Sequence, residues 1–292
     1  MIEWYYLSII AAIFSATAAV LQKKVLFKEK ALTFVTVLAI FNLILAIPFF
    51  FYIDVNSLNF LNLGVLFFKS FLGGIAFLFV MLGIKNLELS HALPMLVLTP
   101  GLVALFAFII LGESISALAL LGMILLLLGT YMLQLGEHMK PSEPFKLFIR
   151  SKGHKYLIWA FILFTITSLL DKMLLKQFAL PLNAFMGFQH LFHAVIFLVA
   201  VIIFGSFKDI KGAFKGNWKW IFLISAVTVI YRYAHLSAVK SASSVALALS
   251  MKRTAVFFAA VIGGRIFKEH DYKKRILATL IMVIGAILII IF

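Results

Sequence analysis

Runs of about twenty apolar residues recur along the whole chain, separated mostly by short polar connections, and they leave few folds open. Roughly 20 helical residues cross a hydrocarbon core of about 30 Å. Backbone inside that core must satisfy its own hydrogen bonds, so only helices and closed barrels span it. The runs here are unbroken, not alternating in ten-residue pieces, which selects helices over a barrel. Ten spans are delimited to within a few residues: Trp4–Leu21, Leu32–Phe51, Leu61–Leu82, Ala92–Leu111, Ala117–Leu135, Tyr156–Leu175, Leu182–Phe204, Trp218–Val239, Ser243–Gly263 and Arg275–Phe292. The expected fold class is an all-α membrane protein of ten transmembrane helices. Composition agrees, because 64% of the 292 residues are hydrophobic and the mean hydropathy is +1.13, values foreign to a soluble domain.

The longest polar stretch, Gly136–Lys155, holds Pro141, Pro144, Gly153 and several charges, and it falls at mid-chain. It reads as a linker (136–155) between two five-helix halves, 1–135 and 156–292. The halves look related. Glu113 is followed sixteen residues later by Gly129, and Glu269 sixteen residues later by Gly285. Phe14-Ser15-Ala16-Thr17-Ala18 can be laid loosely on Phe164-Thr165-Ile166-Thr167-Ser168. An odd number of helices per half requires the second to enter the membrane inverted. Inverted repeats are a recurrent plan of secondary transporters, with the solute held near the midplane.

Lysine and arginine number 26 against 11 acids, a net charge of +15. In a soluble chain that excess would suggest nucleic acid. Here no soluble aromatic-plus-basic module exists, and most of the charge lies in short loops, so nucleic acid is excluded as a partner. With the N-terminus inside, the inner short loops would hold only Lys172, Lys176 and Lys240, and the outer ones nineteen basic residues. The positive-inside rule therefore puts both termini outside and the linker in the cytoplasm, most simply at a plasma membrane. The absence of cysteine removes disulfides, thiolate metal sites and cysteine catalysis. The first run follows no basic stretch and has no small-residue cleavage site, so it is expected to be a retained helix.

Polar residues inside the spans carry the functional information. Lys252 and Arg253 interrupt the ninth span near its middle. A cation at that depth is costly unless it faces a wet cavity or a partner. The pair reads as grips for an anionic solute, or as a pair neutralised by an acid such as Asp171, or as interfacial residues if the span is misplaced. On the eighth span Tyr231, Arg232 and His235 share a face by their spacing, and an arginine fork suits phosphate or carboxylate. On the seventh, Gln189, His190 and His193 break an apolar run, either lining a cavity or forming a satisfied buried pair. With His138, His154 and His270 assigned to loops and no HExxH sequence, no metal is expected. Asp171-Lys172 near the end of the sixth span reads most plainly as an interfacial pair in water. Otherwise Asp171 is a proton site or a counter-ion for Lys252, Arg253 or Arg232. Gln22-Lys23 sit at the matching end of the first span, with the same plain reading. Lys69 lies roughly two turns inside the third span and is a cavity candidate, whereas Lys85 near its end can snorkel. Asn42 is expected to bond between helices, Glu113 and Glu269 to organise turns at interfaces, and the phenylalanines to face lipid. The small residues Ser8, Ala12, Ser15 and Ala19, like Gly73-Gly74, are expected to allow close helix packing.

Ten helices, two related halves and this punctuation resemble the EamA-type members of the drug/metabolite transporter (DMT) superfamily. The stretch Leu82–Leu135 carries the resemblance: LGIKNLELSHA, then Thr99-Pro100, then Leu111-Gly112-Glu113, then a glycine-bearing helix. Thr99-Pro100 departs from the acid–proline pair frequent in the family. The resemblance implies alternating access around a central cavity. The superfamily includes the plastid phosphate translocators, to whose ninth-helix Lys-Arg pair Lys252-Arg253 are similar. Their fourth-helix lysine has no counterpart between Ala92 and Leu111. The family's usual orientation, termini cytoplasmic, runs against the loop charges.

The function expected is secondary active transport of a small anionic metabolite, phosphate esters first, by alternating access and as an exchanger. Lys252, Arg253, Arg232, Tyr231, His235, Lys69 and His190 are the substrate-binding candidates, and Asp171 is the proton or counter-ion site. A second reading is export of amino acids or another small metabolite or drug, with Asp171 binding an amine. A third is a membrane enzyme acting on lipid phosphates, though no spacing here assembles a nucleophile and base. No cofactor is expected, and ten helices enclose a cavity without a partner, so a monomer is expected.

Overall fold

A computed structural model describes residues 3–55, 58–86, 99–134, 152–205, 207–255 and 272–291. The described residues form helices and no strand. In chain order these are α1 (Trp4–Leu26), α2 (Ala31–Phe50), α3 (Phe60–Asn86), α4 (Thr99–Leu111), α5 (Ala117–Gln134), α6 (Lys152–Lys172), α7 (Leu182–Phe204), α8 (Phe207–Gly216), α9 (Trp218–Ser241), α10 (Val245–Arg253) and α11 (Tyr272–Ile291). The six helices α1, α2, α3, α6, α7 and α9 are long and apolar enough to cross a bilayer, α6 together with the π-helical turn that extends it. α4, α5 and α11 contain shorter apolar helical stretches. The chain is an integral, multi-pass membrane protein. The linker core (136–151) and Glu269 lie outside the described residues.

α8 is not among the expected elements. Its sequence, FKDIKGAFKG, reads as a charged connection, yet Ile210 and Ala213 are buried against α2 while Lys208, Lys211 and Lys215 are exposed. Ten residues with this spacing are too short to span and amphipathic enough to lie along the surface. His154 is a second correction: it is buried in the first turn of α6, not in a loop.

The helices pack in crosswise pairs: α1 on α9, α3 on α6, α2 on α7, α4 on α10 and α5 on α11. Glycine sets the last pair. A Cβ on Gly122 would lie 2.6 Å from Gly285 O, and one on Gly285 would lie 2.6 Å from Gly122 O. A Cβ on Gly129 would lie 2.7 Å from Ala278 O. Lipid offers helices no hydrophobic drive to associate, so backbone approach of this kind supplies the contact. α1 uses small residues likewise, with Ser8, Ala11 and Ala12 fully buried. Gly73 and Gly74 do not belong to this class: a Cβ on either would meet only side chains at 3.6 Å or more.

Two apolar packs stand at opposite ends. One joins Val25, Phe34, Leu38, Ile84, Leu157 and Ile221, around the C-terminal ends of α1 and α3 and the starts of α2, α6 and α9. The other joins Leu66, Leu174, Phe185, Leu236 and Val245, around the opposite ends and α4, α5, α10 and α11. Lys30 pairs with Asp209 at 2.9 Å, Asn217 donates to Glu29 at 2.6 Å and Lys85 to Glu29 O at 2.7 Å, so the first pack lies at the lysine-rich end. Phenylalanine serves both environments. Phe34 and Phe185 are fully buried, whereas Phe108 and Phe204 are exposed.

Candidate functional site

Between the two packs lies a cavity of about 210 Å³, lined by α1, α2, α3, α6, α7, α9 and α10. Small side chains on α1 (Ser15, Ala16, Ala19) and Gly73 on α3 make room for it. Ser15 therefore lines the cavity and does not serve only close packing. Towards the lysine-rich end the lining runs to Gln22, Val35, Val80 and Ile84. Towards the other end it stops at Asp171 on α6 and His235 on α9.

Lys69, His190, Tyr231, Arg232, His235, Lys252 and Asp171 all line this cavity. They come from α3, α6, α7, α9 and α10, and only the fold brings them together. Arg253 closes α10, but its side chain lies outside the described residues. Among the described lining residues, lysine and arginine supply three cations and Asp171 the one carboxylate.

That carboxylate is engaged. Asp171 Oδ1 is 2.6 Å from Lys69 Nζ, with both side chains buried. Asp171 is 5% exposed and Lys172 3% exposed, which overturns the expectation of an interfacial pair in water. Gln22 and Lys23, at 4% and 8%, overturn it for α1 as well. Lys69 also donates to Gln189 Oε1 at 2.5 Å, and Arg232 Nη2 donates to the same oxygen at 2.6 Å. One amide oxygen thus ties two cations on α3 and α9 to α7. Lys69 Nζ lies 4.9 Å from the Phe185 ring centroid, and Lys252 Nζ 5.3 Å from that of Tyr231. Both separations fall within cation–π range.

The histidines are not a satisfied pair. His190 is 2% exposed, with neither ring nitrogen hydrogen-bonded, and His193 Nε2 is buried without a partner. Asn42 does bond between helices, accepting from Ser225 Oγ at 2.6 Å.

The far end of the bundle is clasped below the cavity. α6 continues past Lys172 as a π-helical turn, Met173–Gln177. Lys172 Nζ donates to Val239 O at 3.1 Å and Ala242 O at 2.6 Å, the carbonyl end of α9. Glu113 Oε1 is 3.7 Å from Lys172 Nζ. Glu113 Oε2 accepts from Ser244 Oγ at 2.8 Å and Val245 N at 3.0 Å, so it caps the start of α10. A carboxylate there complements both the free N–H groups and the helix dipole. Gly112 makes the turn that delivers it: its φ of +65° is open to glycine. At the lysine-rich end Lys23 Nζ donates to Ile84 O, the carbonyl end of α3.

Gln189, named from sequence only as a possible cavity-lining residue, is absent from the substrate-binding candidates, and the Lys172–Glu113 clasp from every candidate set. Gln189 left a signal, a polar amide in mid-span. Lys172 left none beyond its place at a helix end.

Residues 2–135 match the EamA-like transporter family. No curated protein matches the chain. One solved crystal structure superposes with a TM-score of 0.69 at 14% identity, covering 96% of each chain. At that identity the likeness is one of fold, and it extends over nearly the whole chain.

Proposed function

We propose that this chain is a secondary active transporter of the EamA type, within the DMT superfamily. It moves a small anionic metabolite by alternating access through the central cavity. The observation that carries the reading is the charge of the lining: Arg232 and Lys252 add to a Lys69–Asp171 pair that is already neutral. Cations lining a cavity within a membrane protein are costly, and an entering anion relieves that cost. Phosphate esters rank first, because a guanidinium fork and a nearby ammonium match a dianion. Lys252 and Arg253 form the grip on α10. The engagement of Asp171 by Lys69 argues against the zwitterion reading, which needs that carboxylate for an amine.

Ten crossings in two inverted five-helix repeats provide the moving parts. Gly129 and Gly285 are 156 residues apart, and so are Gly122 and Ala278. The Gly122–Gly285 approach is therefore mirrored by that of Gly129 to Ala278. Lys23 of α1, donating to the carbonyl end of α3, has a counterpart in Lys172 of α6, donating to that of α9, though at a spacing of 149 residues. The crosswise pairing is reciprocal too, since exchanging the halves turns α1–α9 into α6–α3. This conformation belongs to a state whose cavity extends to the lysine-rich end while the Lys172–Glu113 clasp shuts the other. By the positive-inside rule that is the cytoplasmic side, with both termini outside.

The test is counterflow in proteoliposomes preloaded with inorganic phosphate, sugar phosphates or, in a parallel set, amino acids. Uptake of label driven by an anionic load supports the reading. Uptake with the amino-acid load alone transfers the protein to the exporter class.

A further inference from the structure

Arg232 and Lys252 provide for the charged end of a solute, but three polar residues on α7, Gln189, His190 and His193, line the same cavity with polar atoms to spare. Gln189 is fully buried, and its Oε1 is taken by Lys69 and Arg232, leaving Nε2 without an acceptor. Both nitrogens of His190 and Nε2 of His193 are likewise buried without partners. Buried polar atoms nearly always find a partner, and a cluster that has none on the protein marks a place where something else supplies it. The four atoms sit on one helical face, because residues three apart are neighbours.

Their chemistry is selective. A neutral imidazole offers one donor and one acceptor, and an amide nitrogen donates. Phosphate and carboxylate oxygens only accept, so they satisfy at most part of such a set. A hydroxyl both donates and accepts and matches it throughout. We propose that Gln189, His190 and His193 form a hydroxyl-binding subsite beside the cations, so that the solute is a hydroxylated anion, a polyol phosphate or hydroxy acid. This inference rests on the anion-carrier reading and adds the second half of the ligand to it.

The experiment compares two phosphate monoesters of equal chain length, glycerol 3-phosphate and n-propyl phosphate, in liposomes preloaded with inorganic phosphate. The parent is expected to half-saturate at a concentration about tenfold or more lower for glycerol 3-phosphate, because a site built for hydroxyls discriminates against the analogue lacking them. H190L and H193L should each narrow that ratio, and together bring it within about twofold. H190N, which keeps a donor and an acceptor, should hold part of the preference. A parent that takes both esters equally overturns the subsite, with the anion reading intact, and so does a ratio unmoved by H190L and H193L. Failure of every anion to exchange sinks the carrier reading and the subsite with it.

Discussion

Lys69 and Asp171 are the pair on which the cavity's electrostatics turn. Both are nearly dehydrated, and their 2.6 Å contact is shared with Gln189. Removing one partner leaves a buried charge alone, which costs about 3–5 kcal/mol, whereas replacing both by apolar groups is close to neutral. K69M and D171L are therefore each expected to lower the thermal midpoint of the detergent-solubilised protein sharply, and K69M/D171L to recover most of the loss. Additive losses in the double variant would contradict a coupled pair. Lys69 was legible as a cavity candidate, because a charge roughly two turns inside an apolar run is conspicuous, whereas Asp171, near a helix end, reads most plainly as interfacial and is buried instead. Which cation Asp171 chooses was not legible, since the two stand on helices far apart in sequence and hydropathy carries no information on facing. The same limit hid Gln189: its polarity showed, but not that one oxygen would serve two cations.

Among the elements, α10 depends on a residue from the other half. Glu113 receives Ser244 Oγ and Val245 N at the first turn of the helix that carries Lys252. E113A is expected to cost about 1–2 kcal/mol through the lost cap, read as a lower midpoint, and to weaken anion binding by loosening Lys252. Unchanged stability would show that the cap contributes nothing. α5 and α11 depend on glycine. G122L or G285L sets a side chain against a backbone oxygen that a Cβ already approaches to 2.6 Å, and overpacking costs about 1–3 kcal/mol. G101L, where a Cβ meets nothing within 4 Å, is the control. Equal midpoints for the three would refute the close approach. The six long spans were legible because lipid demands long uniform apolarity. α8 was not, because its four apolar side chains are scattered among lysines, and only packing on α2 gives them an inside. The stripe on α1 was read for packing alone, yet Ser15 borders the cavity, since a small residue serves a void as well as a close contact.

At the scale of the molecule, two apolar packs hold a polar cavity between them that reaches further towards the lysine-rich end. The chain has no cysteine, so single introduced thiols report accessibility without background. V80C, on the lysine-rich side of the lining, is expected to react with a membrane-impermeant thiol reagent applied from the cytoplasm and to be slowed by a bound anion. Reaction only from the opposite face would reverse the assigned orientation. The cationic lining also predicts that the empty carrier crosses slowly, so efflux should need a solute on the far side.

The most direct test of the central claim is anion-driven counterflow measured side by side for the parent, R232Q and K252Q, with folding checked by thermal midpoint. The account predicts phosphate-driven uptake in the parent and a loss of about a hundredfold or more in both variants at near-parental midpoints, as removal of a charged contact to a dianion requires. Uptake that persists in both variants would mean that these cations are structural and that the solute is held elsewhere.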